Sequence, residues 1–276
     1  FVPEKSFTGK APAVTVVRED KNGTKASATY TPTVTPVKPT AAPAESTDVQ
    51  GATQIGKPVF TEGDSRVPMN DDVPATFDDG STTKTVEGVG KFTVAADGTV
   101  TFVPEPSFTG TASAVTVVRE DMNGTKASAT YTPTVTPTTI SPTNKVSEDV
   151  QNVPQTQTPT FELSNDKATK ITSKKLVNPV TGQPTDETSV KVAGEGTYTI
   201  DPTTGAVTFT PEKDFVGTAQ GVTVQATATI TNANGKTATI TSDATYTPTV
   251  VAAVPTANPA TSKDIQGATQ TGTPTF

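Results

Sequence analysis

The 276-residue sequence contains no cysteine, no histidine and no tryptophan, and it has only two methionines and four tyrosines. Zinc and haem sites therefore lose their usual ligands, and catalysis by a thiol or an imidazole is excluded. Disulfide cross-links are excluded as well, so each folded part must be held by its own core. A domain of about 100 residues can bury enough surface for this.

Two further absences limit the possible partners. No stretch approaches the ~18 consecutive apolar residues of a membrane-spanning helix, and no basic cluster interrupts a chain whose net charge is −7. We therefore expect neither nucleic acid nor a membrane as a partner. The hydrophobic content of 32% is low, but Val, Thr, Phe and Tyr recur in alternation, which favours β structure over disorder.

The chain repeats itself with a period near 100 residues. Residues 1–36 and 102–137 differ at only four positions, and a more distant copy starts at Phe209. This period is the size of a domain rather than of a solenoid unit. In each copy a Tyr is followed 30 residues later by a Phe, which indicates junctions of constant length: Tyr30, Tyr131 and Tyr246 precede Phe60, Phe161 and Phe276.

This arithmetic predicts the domain boundaries. Residues 1–36 are the C-terminal part of a truncated repeat, 37–48 a linker, 49–137 a complete repeat, 138–149 a linker, 150–251 a complete and longer repeat, and 252–276 a linker with the N-terminal part of the next repeat. A lone hairpin is marginal in water. We therefore expect residues 1–36 and 258–276 to be disordered in an isolated monomer, and 49–251 to be folded.

A β-hairpin is predicted for AVTVVREDMNGTKASATY, at residues 114–131. Asn-Gly is the preferred pair of a two-residue hairpin turn, so positive φ is expected at both residues of Asn123-Gly124 and of Asn234-Gly235. The longer repeat adds four residues on each side of its Asn-Gly pair. Equal, even additions preserve the register and the faces of both arms, which grow by about 13 Å each.

A second hairpin, KFTVAADGTVTF at 91–102, alternates apolar and polar residues around Asp97-Gly98. With the flanking segments it gives about seven short strands per repeat. The predicted fold is all-β: tandem antiparallel immunoglobulin-like β-sandwich domains with Thr/Pro-rich junctions, without the Cys…Trp…Cys signature of antibody domains. The predicted core comprises Phe92, Val94, Val100, Phe102, Phe108, Val115, Val117 and Tyr131, and in the longer repeat Tyr198, Ile200, Phe209, Phe215, Val222, Val224 and Tyr246.

Acidic clusters are the main candidates for a site. Asp71-Asp72 and Asp78-Asp79 could contribute to a Ca²⁺ site, which needs 6–8 oxygen ligands, but the longer repeat has no matching pairs and turn formation is the simpler interpretation. DKNG at 20–23 and DMNG at 121–124 lack the further carboxylates of a calcium loop. We expect no metal site, no cofactor-binding site, no catalytic residue and no enzymatic activity.

A Pro-Glu pair recurs in each copy, at Glu4, Glu105 and Glu212. An exposed turn residue explains it. The alternative is a buried acid that promotes a Lys–Asn cross-link, which requires a lysine and an asparagine at fixed places in each core. Lys84 and Lys191 are the lysines at nearly matching positions.

The repeat frame resembles a known family. Its matching residues are GEGTYTID at 194–201, VTFTPE at 207–212, FVGTA at 215–219 and YTPTV at 246–250, and the same frame runs from 88 to 135. The sequence is similar to the CshA-type fibril repeat of cell-wall-anchored surface adhesins of streptococci and related Gram-positive bacteria.

The resemblance implies an extracellular, cell-wall-anchored stalk that projects an adhesive tip, in which neighbouring repeats of the same chain are the partners. An alternative is that the repeats themselves bind a host glycoprotein, a host matrix protein or other microbes. Residues 161–190 do not match residues 60–85, so no role shared by the two repeats is expected of that region.

Overall fold

The computed structural model describes residues 1–276 and divides into two compact units. The first unit consists of residues 1–138 together with 165–169 and 230–239, and the second consists of 139–164, 170–229 and 240–276. Every regular element is a β-strand, which confirms the all-β prediction. No helix is present that is long and apolar enough to span a bilayer.

The first fifteen strands belong to the first unit. They are β1 (Gly9–Lys10), β2 (Val14–Glu19), β3 (Lys25–Tyr30), β4 (Thr33–Val34), β5 (Thr40–Ala42), β6 (Ala44–Val49), β7 (Gln54–Gly56), β8 (Val59–Thr61), β9 (Thr76–Phe77), β10 (Thr83–Val86), β11 (Gly90–Val94), β12 (Val100–Pro104), β13 (Gly110–Thr111), β14 (Val115–Glu120) and β15 (Lys126–Thr136).

The remaining eleven strands lie mainly in the second unit. They are β16 (Ile140–Thr143), β17 (Lys145–Val150), β18 (Gln155–Gln157), β19 (Thr160–Leu163), β20 (Thr169–Leu176), β21 (Ser189–Val192), β22 (Gly196–Ile200), β23 (Val207–Pro211), β24 (Gly217–Thr218), β25 (Val222–Thr231) and β26 (Thr237–Val251). Strands β20, β25 and β26 each contribute end residues to the first unit.

Two sheets enclose the core of the first unit. One has the strand order β10-β11-β12-β7, and the other has the order β13-β15-β14-β9 with β6 added alongside β15. Along β11 and β12 the apolar residues alternate with polar ones, so that one face is buried and the other is exposed. The Phe92 and Phe102 rings stack at 4.5 Å, and Tyr131 of the opposite sheet meets Phe92 edge-on at 6.4 Å.

The second unit repeats this plan in the orders β18-β23-β22-β21 and β17-β26-β25-β20, with β24 beside β26. The predicted core is confirmed in both units except that Phe108 and Phe215 are only partly buried against it. Phe77 and Leu176 are also fully buried. They lie at the ends of β9 and β20, in the region where the two repeats differ in sequence, and so were missed.

The turns of the long hairpins differ from the prediction in one respect. Gly124 and Gly235 have positive φ (80° and 76°), but Asn123 and Asn234 do not. The turn spans more than two residues, since the amide of Gly124 donates to the carbonyl of Asp121 and the amide of Asp121 donates to that of Thr125. A glycine alone in the left-handed region, after a type I turn, closes such a loop.

The segments predicted as linkers contain strands. Residues 37–48 include β5 and most of β6, and residues 138–149 include β16 and most of β17. Their composition suggested a junction, but their backbones pair with neighbouring strands. In residues 1–36, β2 and β3 form a hairpin of their own. Residues 252–276 contain only one isolated bridge, between Asn258 and Thr275.

Candidate functional site: the first and last strands of each repeat

The first strand of the repeat pairs with its last strand, and the two run parallel. In the first unit β6 lies beside β15 over six residue pairs, from Ala44 opposite Tyr131 to Val49 opposite Thr136. Beyond the last pair, the amide of Gln50 donates to the carbonyl of Thr136 at 2.9 Å. These strands are more than 80 residues apart in sequence, so their pairing closes the repeat.

Three polar side chains fasten this strand pair to the opposite sheet. The Tyr131 hydroxyl lies 2.6 Å from the Ser46 hydroxyl, which donates to the Gln54 side-chain carbonyl at 2.5 Å. The Gln54 amide group donates in turn to the backbone carbonyl of Thr134 at 2.9 Å. Because Ser46 is on β6, Gln54 on β7 and Tyr131 on β15, this network joins the first and last strands to each other and to the second sheet.

The second unit contains the same network with the same geometry. Tyr246 lies 2.7 Å from Ser147, Ser147 donates to Gln155 at 2.5 Å, and Gln155 donates to the carbonyl of Thr249 at 2.9 Å. Here β17 runs parallel to β26 from Lys145 opposite Tyr246. We call each set of three residues the Ser–Gln–Tyr clamp: Ser46, Gln54 and Tyr131 in the first unit, and Ser147, Gln155 and Tyr246 in the second.

Both clamp tyrosines stay protonated. Burial raises the pKa of the Tyr131 hydroxyl, and the hydrogen bond with Ser46 offsets only part of that effect. The pKa of Tyr246 is raised in the same way, with Ser147 opposing. A neutral phenol can donate to the serine, and the buried polar atoms are satisfied by one another, which is the condition under which burying them costs little.

A second glutamine strengthens the end of the strand pair in the first unit. Gln50 is buried, donates to the carbonyl of Pro106 at 2.8 Å and accepts from the amide of Thr138 at 3.2 Å. Its counterpart Gln151 reaches the carbonyl of Lys213 only at 3.4 Å. The end of the first unit is therefore tied down more firmly than that of the second.

The parallel arrangement determines how tension along the chain would act on each unit. Tension enters β6 at Ala44 and leaves β15 at Thr136, at opposite ends of the paired segment. The interstrand hydrogen bonds lie across the direction of pull, so they are loaded together in shear rather than broken one at a time. Resistance to forced unfolding depends on the barrier to unfolding, which such a geometry raises.

The predicted acidic clusters lie elsewhere, and three of their four carboxylates are paired with cations. Arg119 donates to Asp71 at 2.5 Å, and Lys84 lies 3.3 Å from Asp78 and 3.8 Å from Asp79. No group of three or more acidic side chains is placed to hold a metal ion. In the DMNG segment the Asp121 carboxylate accepts the amides of Asn123 and Thr125, both at 2.9 Å, and so caps its own turn.

None of the three Pro-Glu glutamates is a buried acid: Glu4 is exposed, and the other two form ion pairs. Glu105 contacts Lys236 at 2.7 Å, and Glu212 contacts Lys191 at 3.3 Å. The Lys191 side chain is 68% exposed. A core cross-link that starts from Lys191 does not fit this geometry.

The clamp was missed in the sequence because its residues are polar and distant from one another. A signal for it was present, since a serine is followed eight residues later by a glutamine three times: Ser46 and Gln54, Ser147 and Gln155, Ser262 and Gln270. In the third copy the Ser262 hydroxyl donates to the Gln270 side-chain carbonyl at 2.8 Å.

Comparison with known proteins gives one family. The model of the surface adhesin CshA repetitive domain matches residues 1–34, 36–135 and 137–250. Among solved structures, repeat domain 13 of the fibrillar adhesin CshA from Streptococcus gordonii is 50% identical over 25% of this chain and 90% of its own, with a TM-score of 0.17. No curated protein matches the chain.

Two tandem-domain structures also match along most of the chain, at low identity. Mouse cadherin-23 EC22-24 is 12% identical, covers 91% of this chain and 77% of its own, and has a TM-score of 0.35. The titin domains z1z2, solved in complex with telethonin, are 13% identical, cover 80% of this chain and all of their own, and have a TM-score of 0.39.

Proposed function

Since the chain belongs to the family of the surface adhesin CshA repetitive domain, we propose that its repeats are load-bearing spacers of a fibril on a bacterial surface. Each repeat adds length between the cell and a distal binding region, and it resists unfolding under tension. The fibril is extracellular and anchored to the cell wall. The partners of each repeat are its neighbours in the same chain.

The observation that carries this proposal is the sheared strand pair with its clamp. Both units join their first strand to their last in parallel, and both reinforce the pair with the same three side chains. A spacer must transmit force through every repeat, so each repeat needs such a reinforced pair. The repeats contain no histidine or cysteine that could act as a catalytic side chain.

Pulling the chain from its two ends tests the proposal. We expect two unfolding steps, each adding on the order of 300 Å, because Ala44–Thr136 and Lys145–Val251 are the clamped spans. The second step should be longer by about 50 Å, since the second span has 14 more residues. Unfolding at forces too low to resolve would contradict a load-bearing role.

The alternative function, adhesion by the repeats themselves, is separated by a binding measurement. The chain, immobilised through one end, is exposed to host matrix proteins and to partner bacteria. A spacer gives no saturable binding. Saturable binding would assign the repeats an adhesive role and overturn a purely mechanical one, provided that it is lost when the units are unfolded and is inhibited by an excess of the soluble chain.

A further inference from the structure

The first unit contains a hairpin tip contributed by the longer repeat. Residues 230–239 are the end of the hairpin formed by β25 and β26. The four residues added on each arm lengthen this hairpin. Residues 230–239 belong to the first unit, as do residues 165–169. Ile230 is fully buried and Asn232 is 5% exposed. An exposed hairpin tip would bury neither side chain, so this tip is packed.

Apolar contact at the tip depends on a glycine. A Cβ built on Gly51 would lie 2.7 Å from the Cγ2 of Ile230 and 3.1 Å from the Cβ of Ala168. Contacts below 3.0 Å require a shift of one partner, and both Gly51 and Ile230 are buried. The absent side chain of Gly51 therefore provides the space that Ile230 occupies.

Polar contacts fix the tip at the same place. The Asn232 side-chain amide donates to the carbonyl of Pro104 at 2.8 Å, while its carbonyl oxygen accepts the amides of Asn234 and Lys236 at 3.0 and 3.1 Å. Lys236 forms an ion pair with Glu105 at 2.7 Å. Asn232 thus caps its own turn with one end of its amide and binds Pro104 with the other.

The shorter hairpin has an aspartate where the longer one has Asn232. Asp121 caps its turn through the same two amide contacts, but its side chain has no N–H group with which to bind a carbonyl. Capping alone therefore does not explain the asparagine. Its amide group is needed for the contact with Pro104.

The position of Gly51 also varies along the chain. Its counterparts in the IQGATQ and VQNVPQ segments are Gly267 and Asn152. All three share a left-handed backbone, with φ of 80°, 87° and 66°. Asparagine tolerates this conformation better than other side chains, so backbone geometry permits either residue. The space available for a neighbouring side chain is what differs.

We infer that the surface made by Gly51, Pro104 and Glu105 is a docking site for the hairpin tip of a longer repeat, and that Gly51 and Asn232 determine which repeats engage. A glycine at the first position admits an isoleucine-bearing tip, and an asparagine there excludes it. Gly267, whose Cβ position has no atom within 4 Å, offers the same space. Asn152 closes it.

The experiment uses the whole chain and two matched substitutions. Gly51→Asn introduces the residue that the second repeat carries, and Gly80→Asn makes the same change at a glycine with nearly equal φ, 82°, and open space around it. Asn232→Asp keeps the turn cap and removes the donor to Pro104. Backbone hydrogen exchange is followed in segments 49–53, 104–106 and 230–239.

We expect Gly51→Asn and Asn232→Asp each to speed exchange about tenfold or more in all three segments, because each removes a buried contact. Gly80→Asn should leave those segments unchanged. Exchange at 222–228 should be unaltered by every variant, which shows that the hairpin itself persists. If Gly51→Asn and Asn232→Asp leave 49–53 and 104–106 unchanged, the docking site is refuted.

Discussion

Residues 14–30 and 115–131 form the same hairpin in two surroundings. The two sequences differ at a single position, Lys21 against Met122, and both hairpins pair in the same register across six residue pairs. Yet Tyr30 is 56% exposed and Tyr131 is fully buried, and Val16 is 60% exposed where Val117 is fully buried.

The difference separates what local sequence decides from what tertiary pairing decides. The alternation of residues and the capped turn are sufficient to define the hairpin and its register. Burial requires the opposite sheet, the strand β6 and the clamp residues on β6 and β7, which 115–131 has and 14–30 does not. Most of the free energy of folding comes from this tertiary pairing, because tertiary pairing is what removes apolar surface from water.

Hydrogen exchange should show the largest contrast between the two hairpins. The amides of Val115–Val118 are protected by the folding of a whole unit, whereas those of Val14–Val17 are protected only by a two-stranded ribbon. We expect exchange at Val14–Val17 to be faster by on the order of a thousandfold. Equal protection in a dilute monomer would show that the N-terminal hairpin has support of its own.

Removing a core ring should reduce the difference in amide protection between the two hairpins. Phe102→Ala deletes a buried ring that stacks on Phe92, and it should lower the free energy of unfolding of the first unit by about 3–5 kcal/mol. Denaturant titration with fluorescence or circular dichroism measures it. Val180→Ala, at a residue 89% exposed, is the control. An unchanged midpoint for Phe102→Ala would remove this ring from the core.

Much of the buried core was predictable from the sequence, because its apolar residues alternate with polar ones along each strand. Phe92, Val94, Val100 and Phe102 alternate around a turn, so the sequence alone assigns them to one buried face. The pairing of β6 with β15 was not predictable in this way. AESTDV has one apolar residue at each end, and its partner lies more than 80 residues away. Nothing local distinguishes such a strand from a linker.

The clamp should account for the next largest effect. Tyr131→Phe leaves Ser46 without its tyrosine partner in a partly buried site, and we expect a loss of about 1–2 kcal/mol from the first unit. Tyr30→Phe makes the same change in the identical segment of the exposed hairpin and should cost nothing. Thermal and denaturant unfolding of both variants check this. Equal effects would deny the clamp any role in stability.

A third tyrosine sharpens the same comparison. The hydroxyl of Tyr198 is buried and has no hydrogen bond of normal geometry. Burial raises the pKa of this hydroxyl, and the nearby Gly221 amide offsets only a small part of that effect. The first repeat has Phe92 at this position. Tyr198→Phe should leave the second unit as stable or slightly more stable, as seen by its unfolding midpoint. A loss comparable to that of Tyr131→Phe would mean that this hydroxyl is well bonded.

A further small effect concerns β6 itself and depends on pH. Burial opposes ionisation of Asp48, but hydrogen bonds from Lys167 and from the amide of Val49 outweigh it and hold the pKa below its ordinary value. Such a carboxyl adds stability above the pKa of the unfolded chain, and the contribution is lost as pH falls through the folded pKa.

Asp48→Asn should therefore destabilise the first unit at pH 7, by less than about 1 kcal/mol. The difference from the parent should shrink as the pH falls below the ordinary aspartate pKa and through the lowered pKa of Asp48. Urea titrations across this range measure it. Asp149→Asn is the matched control, because Asp149 accepts the amide of Val150 in the same way but has no lysine partner. A loss that persists unchanged in acid would contradict the ionic explanation.

The most direct test of the load-bearing role changes only the direction of pull on one strand pair. The chain has no native cysteine, so Glu45→Cys with Thr136→Cys allows β6 and β15 to be sheared, and Glu45→Cys with Thr132→Cys, at directly paired residues, allows them to be unzipped. We predict that single-molecule unfolding requires a force several times greater in shear than in unzipping, and that Tyr131→Phe lowers the shear force. Equal forces in the two directions would contradict the account.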